Sequence, residues 1–183
     1  MSMLKVNQIK TRLRSMFEQH LDLADISPTD SERDQKILSR CLAAFAVYQI
    51  AGCTEMEAAS SVWDGADDNG IDAAFYDVTS SSVVFVQSKF IAKGSGEPEA
   101  KEIGIFIKGV KDAIEQDQSD FHPRLQGKTS DIFLGIGAPG TLVNLVVVST
   151  GESTLAKHAT SLIEKFLEEL NGNDPEPIAS CLS

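Results

Sequence analysis

The sequence predicts an α/β domain built on a mixed sheet with an antiparallel hairpin at its centre, flanked by helices on both faces. Three observations predict it. Segments with apolar residues at helical spacing stand before and after a pair of short β-branched runs, Ile71 to Asp77 (IDAAFYD) and Val83 to Phe90 (VVFVQSKF). The polar stretch Val78 to Ser82 (VTSSS) separates those two runs at hairpin length. Further on, Val143 to Ser149 (VNLVVVS) is a nearly continuous apolar run, the pattern of a central strand buried on both faces. A chain of 183 residues with 42% hydrophobic and 23% charged residues suits one globular domain with a real core, here residues 1–172, followed by a tail over 173–183.

Taken in order, Val6, Ile9, Leu13, Met16 and Phe17 predict an amphipathic helix over about Leu4 to Leu21. Its Lys5, Lys10, Arg12 and Arg14 make the one clearly basic surface. After Ser27-Pro28, Thr29 or Asp30 can cap a second helix that runs to Ala51, with Glu32 in its first turn and Gly52 past its end. Ile37, Leu38, Cys41, Leu42, Phe45 and Ala46 form its apolar stripe. Thr54 to Ser60 reads as a short helix, with Thr54 and Glu57 spaced as a capping box. Val62 to Asp64 can start a brief edge strand before the tight Gly65 to Gly70 loop. Beyond the hairpin, Ala92 to Glu99 is a Gly/Pro loop, and Ile103, Phe106, Ile107, Val110 and Ile114 mark another helix, carrying Lys108 and Lys111. A further helix spans about His122 to Leu134, and a closing amphipathic helix ends at Gly172.

The hairpin carries the chemistry. Centring its turn on Thr79 and Ser80 places Asp72 opposite Gln87, about 5 Å away at Cβ. Lys89, two residues beyond Gln87, falls on the same face of the sheet. One acid, one amide and one ammonium therefore converge, the minimum set for holding a divalent metal and a phosphate.

The spacing of GID on one strand and QSK on the next resembles the PD-(D/E)xK nuclease superfamily, in its Mrr-like variant where glutamine replaces the second acid. The longer string AASSVWDGADDNGIDAAFYD, followed by VFVQSKFIAKGSGEP, resembles the N-terminal domain of the abortive-infection phage-resistance (AIPR) family, over roughly Glu55 to Gly151. That resemblance implies a restriction-endonuclease-like fold and a magnesium- or manganese-dependent endonuclease acting on DNA in phage defence. It also implies a possible homodimer, since many such enzymes cut two strands by pairing subunits. The large C-terminal region usual in that family is missing from this sequence.

Magnesium takes oxygen ligands in near-octahedral geometry and keeps several waters, so one or two carboxylates plus a substrate phosphate suffice. Asp72 is the leading ligand, with the Gln87 side-chain carbonyl and the Ser88 backbone carbonyl as neutral oxygens. Lys89 would place positive charge where the transition state is most negative. Glutamine in place of glutamate removes a negative charge and weakens metal binding. Family members commonly add an acid from the helix before the sheet; Glu32 fits best, Glu55 and Glu57 compete, and a first-turn carboxylate stabilising the helix dipole is the plainer account of Glu32. Asp64, Asp67 and Asp68 belong to a second metal or to the loop alone, and Asp and Asn before Gly favour the loop. A calcium hand fails, because aligning Gly70 with its invariant glycine leaves Gly65 at the first ligand position.

The net charge of −11 argues against a general nucleic-acid coat, since sequence-independent DNA affinity comes from Lys and Arg. The acid is concentrated in residues 21–88, where a cation would offset part of it. Cys41, Cys53 and Cys181 show neither disulfide nor zinc spacing, and His20, His122 and His158 lie far apart. The N-terminus lacks a signal-peptide pattern, and the uncharged Ile132 to Val148 is broken by Gly135, Gly137, Pro139 and Gly140, so no membrane association and a cytoplasmic location are expected. GIGAPG precedes a strand rather than following one, which excludes a dinucleotide fingerprint. A competing reading keeps the nuclease fold as a non-catalytic binding or regulatory module.

Overall fold

The computed structural model describes residues 2–183 apart from 66, 67, 118, 120, 122–124, 152, 153, 174 and 175. The sequence expectations for Asp67 and His122 lie outside the described residues.

Helix α1, Met3–Phe17, is capped by the Ser2 side chain, which accepts the Lys5 N–H at 3.4 Å, and buries Val6, Leu13, Met16 and Phe17. The chain then tightens into a 3₁₀ turn over Glu18–His20, so the predicted helix stops one turn early. Helix α2, Arg33–Ala51, starts later than expected. Asp30 accepts the Glu32 N–H and the Lys36 ammonium in the preceding turn, and Glu32 itself stands at the N-cap without a side-chain capping bond. Gly52, at φ 63, closes α2 in the left-handed conformation that glycine reaches without strain. Helix α3, Glu55–Ser60, carries the predicted capping box between Thr54 and Glu57.

The sheet has four strands, β1 (Ala73–Asp77), β2 (Ser82–Lys89), β3 (Leu142–Ser149) and β4 (Ala179–Leu182), in the order β1-β2-β3-β4. The hairpin has the predicted register, with Phe75 facing Val84 and Ala73 facing Val86. β3 pairs parallel with β2, and β4 parallel with β3. The architecture is therefore a mixed α/β sheet, with two corrections. The hairpin lies at one side of the sheet, and the parallel β2-β3 pair forms its centre. A parallel return needs a long crossover, which helices α4 (Ala100–Ile114) and α5 (Gln126–Ile136) supply. The expected tail also contributes β4, a four-residue strand too short to show a period of its own. The predicted edge segment exists as a single antiparallel bridge between Val62 and Ala73.

Helices cover both faces. Val84 and Val86 point toward α1 and α2, where they pack with Phe17, Leu38, Cys41, Leu42 and Val47. Burial pushes the Cys41 thiol up to about 12, as befits a small core residue. Val83 and Phe85 point the other way, into a core with Ile103, Phe106 and Val110 of α4 and with Ile163 and Phe166 of helix α6, Lys157–Asn171. Ile132 to Val148 resolves into the end of α5, a turn and β3, and no helix among the described residues is long and apolar enough to cross a membrane.

Candidate metal centre

The hairpin ladder ends at the Ala73–Val86 pair, and Asp72 lies just outside it. Its backbone is held from both sides: the N–H donates to the Val86 carbonyl at 2.9 Å, and its own carbonyl accepts from Trp63 and Asp64 at 2.7 and 3.0 Å. The side chain then has one place to go, across the open end of the hairpin toward β2. There Oδ2 accepts the Ser88 N–H at 2.6 Å, and the Gln87 Nε2 at 3.2 Å. The Ser88 hydroxyl lies 2.9 Å from the same oxygen and 3.1 Å from the Ser39 carbonyl of α2, so its single proton is shared between carboxylate and helix. With three donors gathered on Oδ2, the lone pairs left to offer are those of the other oxygen.

Asp68 closes the loop that leads into β1. Its two carboxylate oxygens accept the N–H groups of Gly70 at 2.8 Å and Gly65 at 3.1 Å. Asn69 and Gly70 both have positive φ, and α4 clamps the loop from outside. A Cβ on Gly109 would lie 2.0 Å from the Asn69 carbonyl oxygen, so only glycine lets the helix approach this closely. The Asn69 amide also donates to Asp112 of α4 at 2.7 Å.

Asp64 is fixed by Arg40. Arg40 is 3% exposed and uses all five of its N–H donors: two on Asp25, one on the Asp22 carbonyl, and one each on the side-chain and backbone oxygens of Asp64. Asp64, Asp68 and Asp72 each bring a carboxylate oxygen within 4.8 Å of the others. Burial, and then the nearby Asp64 charge, hold the Asp72 carboxyl well above the usual carboxylate range, with the Ser88 hydrogen bonds acting in the opposite direction.

Comparison with family models, with curated proteins and with solved structures found no match for this chain. The geometry and the sequence motif therefore carry the functional reading between them.

The donor set fits a hard divalent cation. Three carboxylates in close approach supply oxygen ligands of the type Mg²⁺ and Mn²⁺ prefer. One of them is buried where its charge is costly without a compensating cation. Asp64 and Arg40 also border a cavity of about 260 Å³ shared with His20, Asp22 and Lys128, which reaches neither Asp68 nor Asp72. A larger cavity of about 520 Å³ lies against β1 and α5 and includes none of the three acids.

Several sequence expectations change at this centre. Gln87 and Ser88, expected to offer a side-chain and a backbone carbonyl to a metal, are both buried, and their other polar groups, the Gln87 Nε2 and the Ser88 N–H and hydroxyl, lie on Asp72. Lys89 does not join Asp72. Its ammonium pairs with Glu102 in the first turn of α4. The reason is that β2 runs on past the last rung of the ladder, which carries Lys89 about 7 Å beyond Gln87 along the strand and under the start of that helix. Glu32 is exposed, and it precedes Arg40, the α2 residue that touches the acids, by about 12 Å of helix axis. Glu57 is occupied by its capping box, and Glu55 sits in the first turn of the same helix. Among the described residues, the acids that assemble with Asp72 are Asp64 and Asp68, which the turn chemistry of DGADDNG favours as loop residues. Arg40 was legible in one respect: it is the sole charge in the otherwise uncharged run Ile37 to Ala51.

Proposed function

We propose that this domain is a Mg²⁺- or Mn²⁺-dependent nuclease of restriction-endonuclease-like type that hydrolyses DNA phosphodiesters in defence against phage. The observation that carries the reading is the meeting of Asp64, Asp68 and Asp72 at the open end of the hairpin whose second strand bears Gln87, Ser88 and Lys89. The sequence resemblance supports DNA as the substrate. A bound cation would lower the pKa of its water and offset charge on the phosphate. Asp64, Asp68 and Asp72 would hold it; Gln87 and Ser88 fix the Asp72 carboxylate in one orientation, and Arg40 does the same for Asp64. Lys89, whose side chain is 42% exposed, would meet the phosphate oxygens once it leaves Glu102.

A second reading, a nuclease-fold module without turnover, is favoured by the engagement of Lys89 with Glu102 and by the Gln87 amide presenting its nitrogen to Asp72. Incubating supercoiled DNA with the protein and Mg²⁺ or Mn²⁺ separates the two. The nuclease reading expects nicking or linearisation that is lost in Asp72→Ala and Lys89→Ala. Unchanged cleavage by Lys89→Ala would exclude the mechanism, and a Mn²⁺-induced rise in Tm without any cleavage would favour the module.

A further inference from the structure

Arg40 is buried between two carboxylates that belong to different parts of the fold. Asp25, in the segment between the 3₁₀ turn and α2, takes a bidentate pair of bonds from Nη1 and Nη2 at 2.8 and 2.6 Å. Asp64, at the acidic centre, takes Nε on its side chain at 3.0 Å and Nη2 on its backbone carbonyl at 2.8 Å. One planar cation thus fixes the position of one member of the acidic trio and divides its charge between that member and a carboxylate outside it. We propose that Asp25 and Arg40 are positioning residues that set the divalent-cation affinity of the Asp64, Asp68 and Asp72 centre. The inference rests on the metal-dependent reading above.

The argument is one of geometry and charge. A guanidinium with every donor engaged cannot rotate without breaking several charge-assisted bonds at once, so the bond it offers to the Asp64 carboxylate comes from a fixed point. The Asp25 carboxylate holds the far side of that fork. Without it, Arg40 loses the pair that aims it, and its undivided charge bears on Asp64. Both effects oppose a cation at the trio. Outer-sphere partners of this kind typically change metal affinity by about 10- to 100-fold when removed. A role in packing alone would instead lower the stability of the fold and leave the affinity of the folded protein unchanged.

The test is a Mn²⁺ titration of the whole chain, by calorimetry and by electron paramagnetic resonance of free Mn²⁺, at a temperature well below each variant's Tm. Asp25→Asn should weaken binding about tenfold or more, Asp25→Glu should retain most of it, and Arg40→Lys, which keeps the charge but loses the fork, should weaken it as Asp25→Asn does. Asp30→Asn is the control: it removes one negative charge from the same segment, but Asp30 pairs with Lys36 and not with Arg40, so affinity should stay within twofold. Binding by the wild type together with wild-type affinity in Asp25→Asn would overturn this inference and leave the metal centre standing. Equal weakening by Asp30→Asn would overturn it too, by showing a general field effect. Failure of the wild type to bind Mn²⁺ would overturn both this inference and the metal-dependent reading.

Discussion

The backbone N–H of Ser88 points at the carboxylate of Asp72 across the open end of the hairpin, at 2.6 Å. This bond ties the residue before β1 to the central strand, at a point where the ladder has already ended. It also explains how a buried acid is tolerated without a cation of its own: Arg40 reaches Asp64, not Asp72, and the donors of Ser88 and Gln87 are what Asp72 has instead.

Removing the Asp72 charge should therefore stabilise the metal-free protein. In Asp72→Asn the side-chain oxygen can accept the same donors, while the new amide faces Asp64 and Asp68 as a donor. The expected gain is on the order of 1–3 kcal/mol near neutral pH, a rise in Tm of several degrees for a domain of this size, together with loss of any Mn²⁺-induced stabilisation. Thermal unfolding in chelator and in Mn²⁺ measures both. A lower Tm for the variant in chelator would contradict the assignment of Asp72 as the strained acid.

The same comparison should depend on pH with a definite sign. The native Asp72 carboxyl is raised above its unfolded value, so the native state binds that proton more tightly. Its contribution is fully present below the unfolded value and is lost as pH rises through the native one. Asp30, Asp34, Asp77 and Asp117 are shifted downward by their hydrogen bonds, led by Lys36, Lys10, Ser80 and Ser119 respectively, and their contributions are lost as pH falls through their native values. Those four are common to wild type and variant. The stability advantage of Asp72→Asn should thus be small near pH 4 and widen as pH rises, in chelator titrations by urea at fixed temperature. A difference that narrows with pH would reverse the sign and sink the reading.

The hairpin that carries this centre was legible in the sequence, whereas of the acidic trio only Asp72 was, and what was not legible has physical causes. The hairpin register followed from the turn, because a two-residue period leaves few ways to bury Val84, Val86, Val83 and Phe85 on opposite faces. The Thr54 capping box and the Gly52 and Gly172 helix ends are local chemistry that the sequence specifies directly. Tertiary placement was not readable. Lys89 has the right alternation to join Gln87, but nothing local says that α4 starts above it and brings Glu102. Asp64 and Asp68 looked like turn formers, and Asp68 is one: its carboxylate does bond the loop amides while also facing Asp72. The parallel pairing of β4 depends on α6 returning the chain to the sheet, which a strand of four residues cannot announce.

The close approach of α4 to the acidic loop yields a further expectation. Gly109→Ala would drive a methyl group against the Asn69 carbonyl, where backbone on both sides leaves little room to yield. We expect a loss of about 1–3 kcal/mol and weaker Mn²⁺ binding, because Asp68 is held by the amides of that same loop. Gly104→Ala, on the same helix with no atom within 4 Å of where its Cβ would lie, is the matched control and should leave both unchanged or slightly improve stability. Thermal unfolding and Mn²⁺ titration of the two variants distinguish local displacement from a change in helix propensity.

Glu102 offers the sharpest test of Lys89. One Glu102 oxygen pairs with the Lys89 ammonium, and the other accepts the Glu99 N–H at 3.0 Å, completing the capping box that starts α4. Gln at this position can keep the capping bond, because its carbonyl still accepts, while its amide offers no charge to the lysine. The lost ion pair is partly exposed, with side chains 42% and 29% accessible, so stability should fall by no more than about 1 kcal/mol. If Lys89 must swing to the phosphate, Glu102→Gln should raise the DNA cleavage rate several-fold at unchanged fold, and adding Lys89→Ala should abolish the gain. A slower Glu102→Gln enzyme would mean that the carboxylate aims the lysine toward the substrate and does not withhold it. Indifference of the rate to both substitutions would remove Lys89 from the chemistry altogether and make the non-catalytic module the better description.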